Sequence, residues 1–151
     1  MERDEVIMRM AIDEGLIALE HGDVPVGAVL VRGDDVVAKA HNCRELRNDA
    51  TSHAEMDVLR LGAERLGSWR LDGCELFATL EPCPMCAGAI MAHRVPRLVF
   101  GAWNPRSGSA GSLYNIVEDP RLNHHVDVRR GVLAEACAAP LGEAFAAVRA
   151  S

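Results

Sequence analysis

The chain has 151 residues and a mass of 16.3 kDa, enough to bury one hydrophobic core as a single domain, 1–151. With 49% apolar and 25% charged residues and a mean hydropathy of +0.02, it excludes a disordered chain, and no apolar run approaches the roughly 18 residues of a membrane helix. A formal charge of −6 and a pI near 5.5 argue against a general nucleic-acid binder, which carries a basic domain.

Residues 4–21 place Val6, Ile7, Met10, Leu16 and Ile17 at mostly helical spacings, and Gly22 closes the segment. Residues 26–31 are continuous and rich in valine, as in a strand buried on both faces. Arg32-Gly33-Asp34-Asp35 is turn chemistry, so residues 36–41 complete a hairpin. Thr51 and Ser52 are expected to cap a helix over residues 53–66. Residues 74–79 read as a strand, and Pro82 opens a helix reaching residue 93. Residues 97–101 form a further strand before a Gly/Ser-rich loop, residues 107–112. Residues 125–129 are expected to be the last strand, and residues 133–148 a helix that Pro140 kinks or splits. Strands and helices alternate after the hairpin. The class is therefore α/β, with helices on both faces of a mixed sheet. Aromatic residues make up only 4%, so Val, Leu, Ile, Ala and Met must fill the core.

The opening Met1-Glu2-Arg3-Asp4-Glu5 has no basic segment followed by an apolar stretch, so no secretory signal is read and a cytoplasmic location is expected. In that compartment, five cysteines with a Cys83-Pro84-Met85-Cys86 pair point to metal or redox chemistry rather than a disulfide framework.

Chemistry concentrates in His53-Ala54-Glu55 and Glu81-Pro82-Cys83-Pro84-Met85-Cys86, each at the start of an expected helix. One His and two Cys, His53, Cys83 and Cys86, are a borderline-soft N/S set that suits zinc. The i, i+3 spacing puts both sulfurs on one face of a first helical turn, where free N–H groups favour thiolates. Three protein ligands leave a fourth position open, which marks a catalytic rather than a structural zinc. Glu55 would be the proton shuttle. Residues two apart do not share a face of a regular helix, so His53 and Glu55 can meet only at its extreme end. Other readings of these residues are a redox Cys pair, or a structural zinc completed by Cys43, Cys74, Cys137 or His93. The three isolated cysteines read better as small buried hydrophobes. His21, His41 and His125 read as surface or hydrogen-bonded histidines, and Met85, Ile90 and Met91 as core.

His-x-Glu followed by Pro-Cys-x-x-Cys is the signature of zinc-dependent nucleobase deaminases, in which zinc-activated hydroxide attacks a ring carbon and ammonia leaves. Nearly the whole chain resembles the bacterial tRNA-specific adenosine deaminases. The resemblance is carried by residues 24–30, Asn42, His53-Ala54-Glu55, residues 79–89, Phe100-Gly101-Ala102, residues 108–113, Asn123-His124 and Gly131-Val132-Leu133. It implies a three-layer α/β/α, cytidine-deaminase-like fold around a five-stranded mixed sheet, one Zn(2+) per subunit, and a homodimer. The implied reaction converts adenosine to inosine at the wobble position of a tRNA anticodon stem-loop. Asn42 would then hydrogen-bond the purine, and Val24, Leu80 and Pro82 would line its pocket. Asn104 stands where the family often has an acidic residue on a neighbouring ribose. The last helix, with Ala144-Phe145 and Arg149, lacks the usual paired aromatics and basic residues, so a weaker contribution to RNA binding is expected there. The alternative within the same chemistry is a deaminase of free bases or nucleosides, guanine or cytosine. Outside it is a non-catalytic zinc module with four protein ligands.

An anticodon loop presents splayed bases, so it needs a pocket with a local arginine rim rather than a basic domain. Arg44, Arg47, Arg94, Arg97, Arg106, Arg121, Arg129 and Arg130 are the candidate phosphate contacts, with Arg106 foremost because it borders the Gly/Ser loop. A negative net charge then predicts weak affinity for bulk nucleic acid and recognition through the flipped base.

Overall fold

A computed structural model describes the backbone of residues 1–150 and the side chains of residues 1–143. In chain order the elements are α1 (Arg3–Leu16), a 3-10 turn (Ile17–His21), β1 (Gly27–Arg32), β2 (Asp35–His41), α2 (Arg44–Arg47), α3 (Ala54–Leu66), β3 (Cys74–Leu80), α4 (Pro84–Ala92), β4 (Arg97–Ala102), β5 (Asp127–Arg129) and α5 (Ala134–Ala150). The five strands form one sheet in the order β2-β1-β3-β4-β5. The first three pair antiparallel, through the hairpin and then β1 against β3. β3, β4 and β5 run parallel, as the crossover through α4 allows. α1 and α5 pack on one face of the sheet, and α3 and α4 pack on the other. The layers are therefore α/β/α, as expected.

Both faces being covered explains why β1 is buried along Gly27–Val31 and β4 along Leu98–Ala102. Ile7, Met8, Ala11, Ile12 and Gly15 form the buried stripe of α1. The helix sits very close to β1 because two glycines meet there. A Cβ on Gly27 would lie 1.9 Å from the Ala11 carbonyl oxygen and 2.5 Å from the Gly15 nitrogen. No side chain fits at that crossing.

Four local expectations are corrected. Neither Thr51 nor Ser52 caps α3. His53 holds the N-cap, Thr51 bonds Asp49, and the Ser52 hydroxyl donates to Asp57 at 2.6 Å. Pro82 is not in the first turn of α4; Pro84 takes that position, with its φ already helical and no N–H to satisfy. The first helix is α-helical only to Leu16 and tightens into the 3-10 turn. Finally, α5 runs through Pro140 without a split. The side chains of Ala144, Phe145 and Arg149 lie outside the described residues.

A network of charges ties α1 to the sheet. The Arg97 guanidinium donates to both Asp4 oxygens, at 3.1 and 2.7 Å, and to Glu75 at 2.6 Å. Arg129 adds a bond to Asp4 at 2.7 Å, and Arg3 bonds Glu75 at 2.8 Å. Arg97 and Arg129 are therefore committed to the fold rather than to a phosphate. The hydrogen bonds from Arg97, then from Arg129, hold the buried Asp4 carboxyl below its usual range. A depressed folded-state pKa means the unfolded chain binds the proton more tightly. The stabilisation is present above the ordinary Asp value and is lost as pH falls through the folded one. Asp4→Asn is expected to cost about 2–4 kcal/mol at neutral pH, because it leaves the Arg97 charge partly unpaired. Urea unfolding should show the gap between wild type and variant closing as the pH falls below the ordinary Asp range. A gap that stays constant with pH would assign the cost to packing instead.

Candidate active site

α3 and α4 pack against each other with their first residues adjacent, and this adjacency builds the site. His53 is the N-cap of α3, extended at φ −79°, ψ 153°, and Cys83 is the N-cap of α4, extended at φ −73°, ψ 173°. Both side chains hang from extended backbone just before a helix starts. The His53 Nδ1 lies 3.6 Å from the Cys83 Sγ and 3.4 Å from the Cys86 Sγ. All three donor atoms fall within 4.8 Å of one another. The i, i+2 problem is resolved by this break in backbone geometry. His53 lies outside the helix and Glu55 within its first turn, so both turn toward one point.

Glu55 is buried and lines the same cleft as His53 and Cys83. Burial pushes its pKa up to about 7, so the carboxyl is poised to take and return a proton near neutrality. The hydrogen bond from Cys86 brings the Cys83 thiol down to about 4, with His53 assisting, and the same bond raises Cys86. His53 is raised by its own hydrogen bond with Cys83. Three converging N/S donors, with the Cys83 thiol biased toward its thiolate, fit a borderline-soft ion such as zinc.

The cluster opens into a cleft of about 190 Å³. Val24, Asn42, His53, Glu55, Leu80, Cys83 and Asn104 line it, together with Val26, Arg44, Ala54, Glu81 and Ser107. Asn42 is pinned there. Its Nδ2 donates to the Val24 carbonyl at 3.3 Å, and its Oδ1 accepts from the Arg44 amide at 3.1 Å. One N–H and one lone pair remain for a ligand. Pro82 does not line the cleft. It is buried, and its carbonyl accepts from the Ser109 amide. Arg106 is exposed outside the lining and makes no ion pair among the described residues. Of the other arginines, Arg47 pairs with Asp57, Arg121 with Asp119 and Arg130 with Glu118.

Glu81 is the residue that pattern reading missed. It is 1% exposed, and it accepts from the amides of Asn104 (3.0 Å), Ala110 (3.1 Å) and Ser112 (2.9 Å) and from the Ser112 hydroxyl. Burial opposes its charge, but the Ser112 hydroxyl and the three amides outweigh burial and hold its pKa down. Gly108 must lack a side chain, because a Cβ there would lie 2.4 Å from both Glu81 and the Asn104 carbonyl. The Gly/Ser loop is therefore wrapped around a buried carboxylate. The only sequence cue was the glutamate directly before the Pro-Cys pair.

A helix-terminal His/Cys/Cys cluster with a buried glutamate, on this α/β/α sheet, defines a deaminase of the cytidine-deaminase-like class. The model of the MafB19-like deaminase family matches residues 2–136. The tRNA-specific adenosine deaminase of Bacillus subtilis is 46% identical over 149 residues, covering 99% of this chain and 92% of that protein. A solved tRNA:A34 deaminase is 41% identical, with a TM-score of 0.85 over 89% of this chain and 97% of that one. A guanine deaminase from Bacillus subtilis is more distant, 28% identical with a TM-score of 0.65 over 100% of this chain and 96% of that one. The chain belongs to the tRNA-specific adenosine deaminase family.

Proposed function

We propose that residues 1–151 act as a single zinc-dependent deaminase domain that converts the wobble adenosine of a tRNA anticodon to inosine. The carrying observation is the convergence of His53, Cys83, Cys86 and Glu55 on the cleft walled by Val24, Asn42 and Leu80. The choice of tRNA over a free base is supported by the 46% identity to a tRNA enzyme against 28% to a guanine deaminase. His53, Cys83 and Cys86 would hold one zinc ion, whose Lewis acidity activates water. Glu55 takes the proton of the attacking water and gives it to a ring nitrogen. It then takes the remaining proton of the added hydroxyl and passes it to the exocyclic amine, which leaves as ammonia while the carbonyl forms. Asn42 offers its spare N–H and lone pair to the purine edge, and Val24 and Leu80 flank the ring. Pro82 acts from behind the wall, by holding the Ser109 amide. Arg106, exposed beside the loop, and Arg44, at the cleft, are the phosphate contacts we assign. The enzyme works in the cytoplasm as a homodimer; no helix among the described residues is long and apolar enough to cross a membrane.

The test is purified protein given an anticodon stem-loop and, separately, free bases. Inosine in the RNA is expected. Unmodified RNA together with ammonia from guanine or cytosine would replace the reading with a free-base deaminase.

Asn104 bears on the choice of sugar. Its Oδ1 accepts from the Arg106 and Ser107 amides and its Nδ2 donates to the Ser107 hydroxyl at 3.0 Å, on the rim of the cleft. Asn104→Asp replaces a group that donates and accepts with one that only accepts. The ratio of kcat/KM on RNA to that on the matching DNA stem-loop is expected to change, since the 2′-hydroxyl is what separates them. An identical ratio in both proteins would remove Asn104 from the ribose contact.

A further inference from the structure

A second group of soft donors lies outside the reaction cleft. One ring nitrogen from each of His21 and His41 and the Sγ of Cys43 fall within 4.8 Å of one another. His21 ends the 3-10 turn, His41 ends β2, and Cys43 is buried two residues further on. The two imidazole centroids are 5.2 Å apart, and the Cys43 thiol donates to the His41 carbonyl at 3.4 Å. Taken singly, these are the hydrogen-bonded histidines and the small buried cysteine that the sequence predicts.

Their hydrogen bonds say more. The His21 Nδ1 bonds Asp23 at 2.7 Å, and the His41 Nδ1 bonds Glu14 at 2.6 Å. A carboxylate only accepts, so Nδ1 is the donor in each pair and Nε2 is the ring nitrogen turned away from the carboxylate. A carboxylate behind the imidazole in this way is what orients a metal-ligating histidine. Among the described residues, the His21 Nε2 is buried without a hydrogen-bond partner, a costly state for a polar atom that nothing else in the protein satisfies. An entry route exists, because His41 and Cys43 border a cleft of about 320 Å³ shared with Glu14 and Asp57.

We propose that His21, His41 and Cys43 form a second metal site, distinct from the catalytic cluster and suited to a borderline divalent ion of the zinc class. Two imidazoles and one thiolate are the complementary N/S set to the one imidazole and two thiolates of the first site. Bonds of about 2.0–2.1 Å to nitrogen and 2.3 Å to sulfur draw the donors to separations near 3.5 Å, a modest closure of the present cluster. Cys43 must give up its proton on binding. The location gives the ion a structural consequence. Asn42 lies between His41 and Cys43 in the chain, and Val24 directly follows Asp23, the partner of His21. Asn42 and Val24 are joined by a hydrogen bond and both line the reaction cleft. An ion here clamps that wall from behind.

The test is to strip the full chain with chelator, titrate it with Co2+, and count bound metal by mass spectrometry after desalting. Wild type is expected to hold two ions per chain. Cys43→Ser and His41→Gln should each lose one, and Cys43→Ser should also lose part of the cobalt–thiolate absorption. Cys86→Ala should lose the other ion and keep this one, so failure of the catalytic cluster to bind is separable. Glu14→Gln keeps every donor and is expected to weaken the second ion about 10–100-fold, which reads the site without removing a buried ligand. Equal metal content in wild type, Cys43→Ser and His41→Gln overturns the proposal.

Discussion

Glu55→Gln is expected to fold, to bind metal as wild type does, and to lose turnover on an anticodon stem-loop by up to about 10⁴-fold, the upper range for general acid–base catalysis. The upper range applies because, in the proposed reaction, one carboxyl would serve both proton transfers, to the ring nitrogen and to the leaving amine. Stability should not suffer. Burial already disfavours the charged form of Glu55, as its pKa of about 7 records, so an uncharged isostere relieves desolvation. Metal is retained because the donors are His53, Cys83 and Cys86, which all remain. Glu55→Ala should give the same pattern. Single-turnover kinetics with metal counted on the same sample separate the outcomes. Normal deamination by either variant would end the shuttle assignment, and lost metal would make Glu55 part of the ligand set. A non-catalytic zinc module predicts no functional loss in either variant.

The largest expected effect on structure comes from Glu81→Ala, at about 3–5 kcal/mol, the cost of stranding several buried donors at once. The amides of Asn104, Ala110 and Ser112 all lose their acceptor, and so does the Ser112 hydroxyl. Glu81→Gln should recover little, because its amide nitrogen would face donors with another donor. Amide hydrogen exchange should rise at Ala110 and Ser112 before it rises in β3 or β4, since the loop and not the sheet depends on this carboxylate. Both Asn104 and Ser107 line the cleft, so KM for the stem-loop should rise with loop mobility. Unchanged exchange at Ala110 and Ser112 would mean that the loop is held by its own turns.

The class of fold and the reactive cluster were legible in the chain because each rests on local order. β1 and β4 are continuous apolar runs that only a doubly covered sheet explains. The Cys83/Cys86 spacing is itself a helical contact, and three soft donors beside a glutamate suffice to name the chemistry. The termini of α3 and α4 were less legible, because the cap position depends on where each helix packs against its neighbour. His53 displaced Thr51 and Ser52 as the N-cap of α3, and α4 opens at Pro84 rather than Pro82.

Contacts between distant segments were decided by the tertiary structure alone. Arg97 and Arg129 looked like phosphate ligands until Asp4, from the other end of the chain, was seen to hold both. Glu81 reads as one more acidic residue until the loop that follows β4 folds around it. Gathering His21, His41 and Cys43 likewise requires the 3-10 turn to lie against the end of β2. The sequence by itself therefore determined the chemistry, carried by two short motifs, His53-x-Glu55 and Cys83-x-x-Cys86, each within about one helical turn. Only the fold decided which of its charges are free for an RNA, because pairing at long sequence separation leaves no periodic trace in the chain. The net charge of −6 is consistent with that division. What matters is how individual arginines are placed: Arg44 lines the cleft and is paired with the neighbouring Glu45, whereas Arg106 makes no ion pair among the described residues.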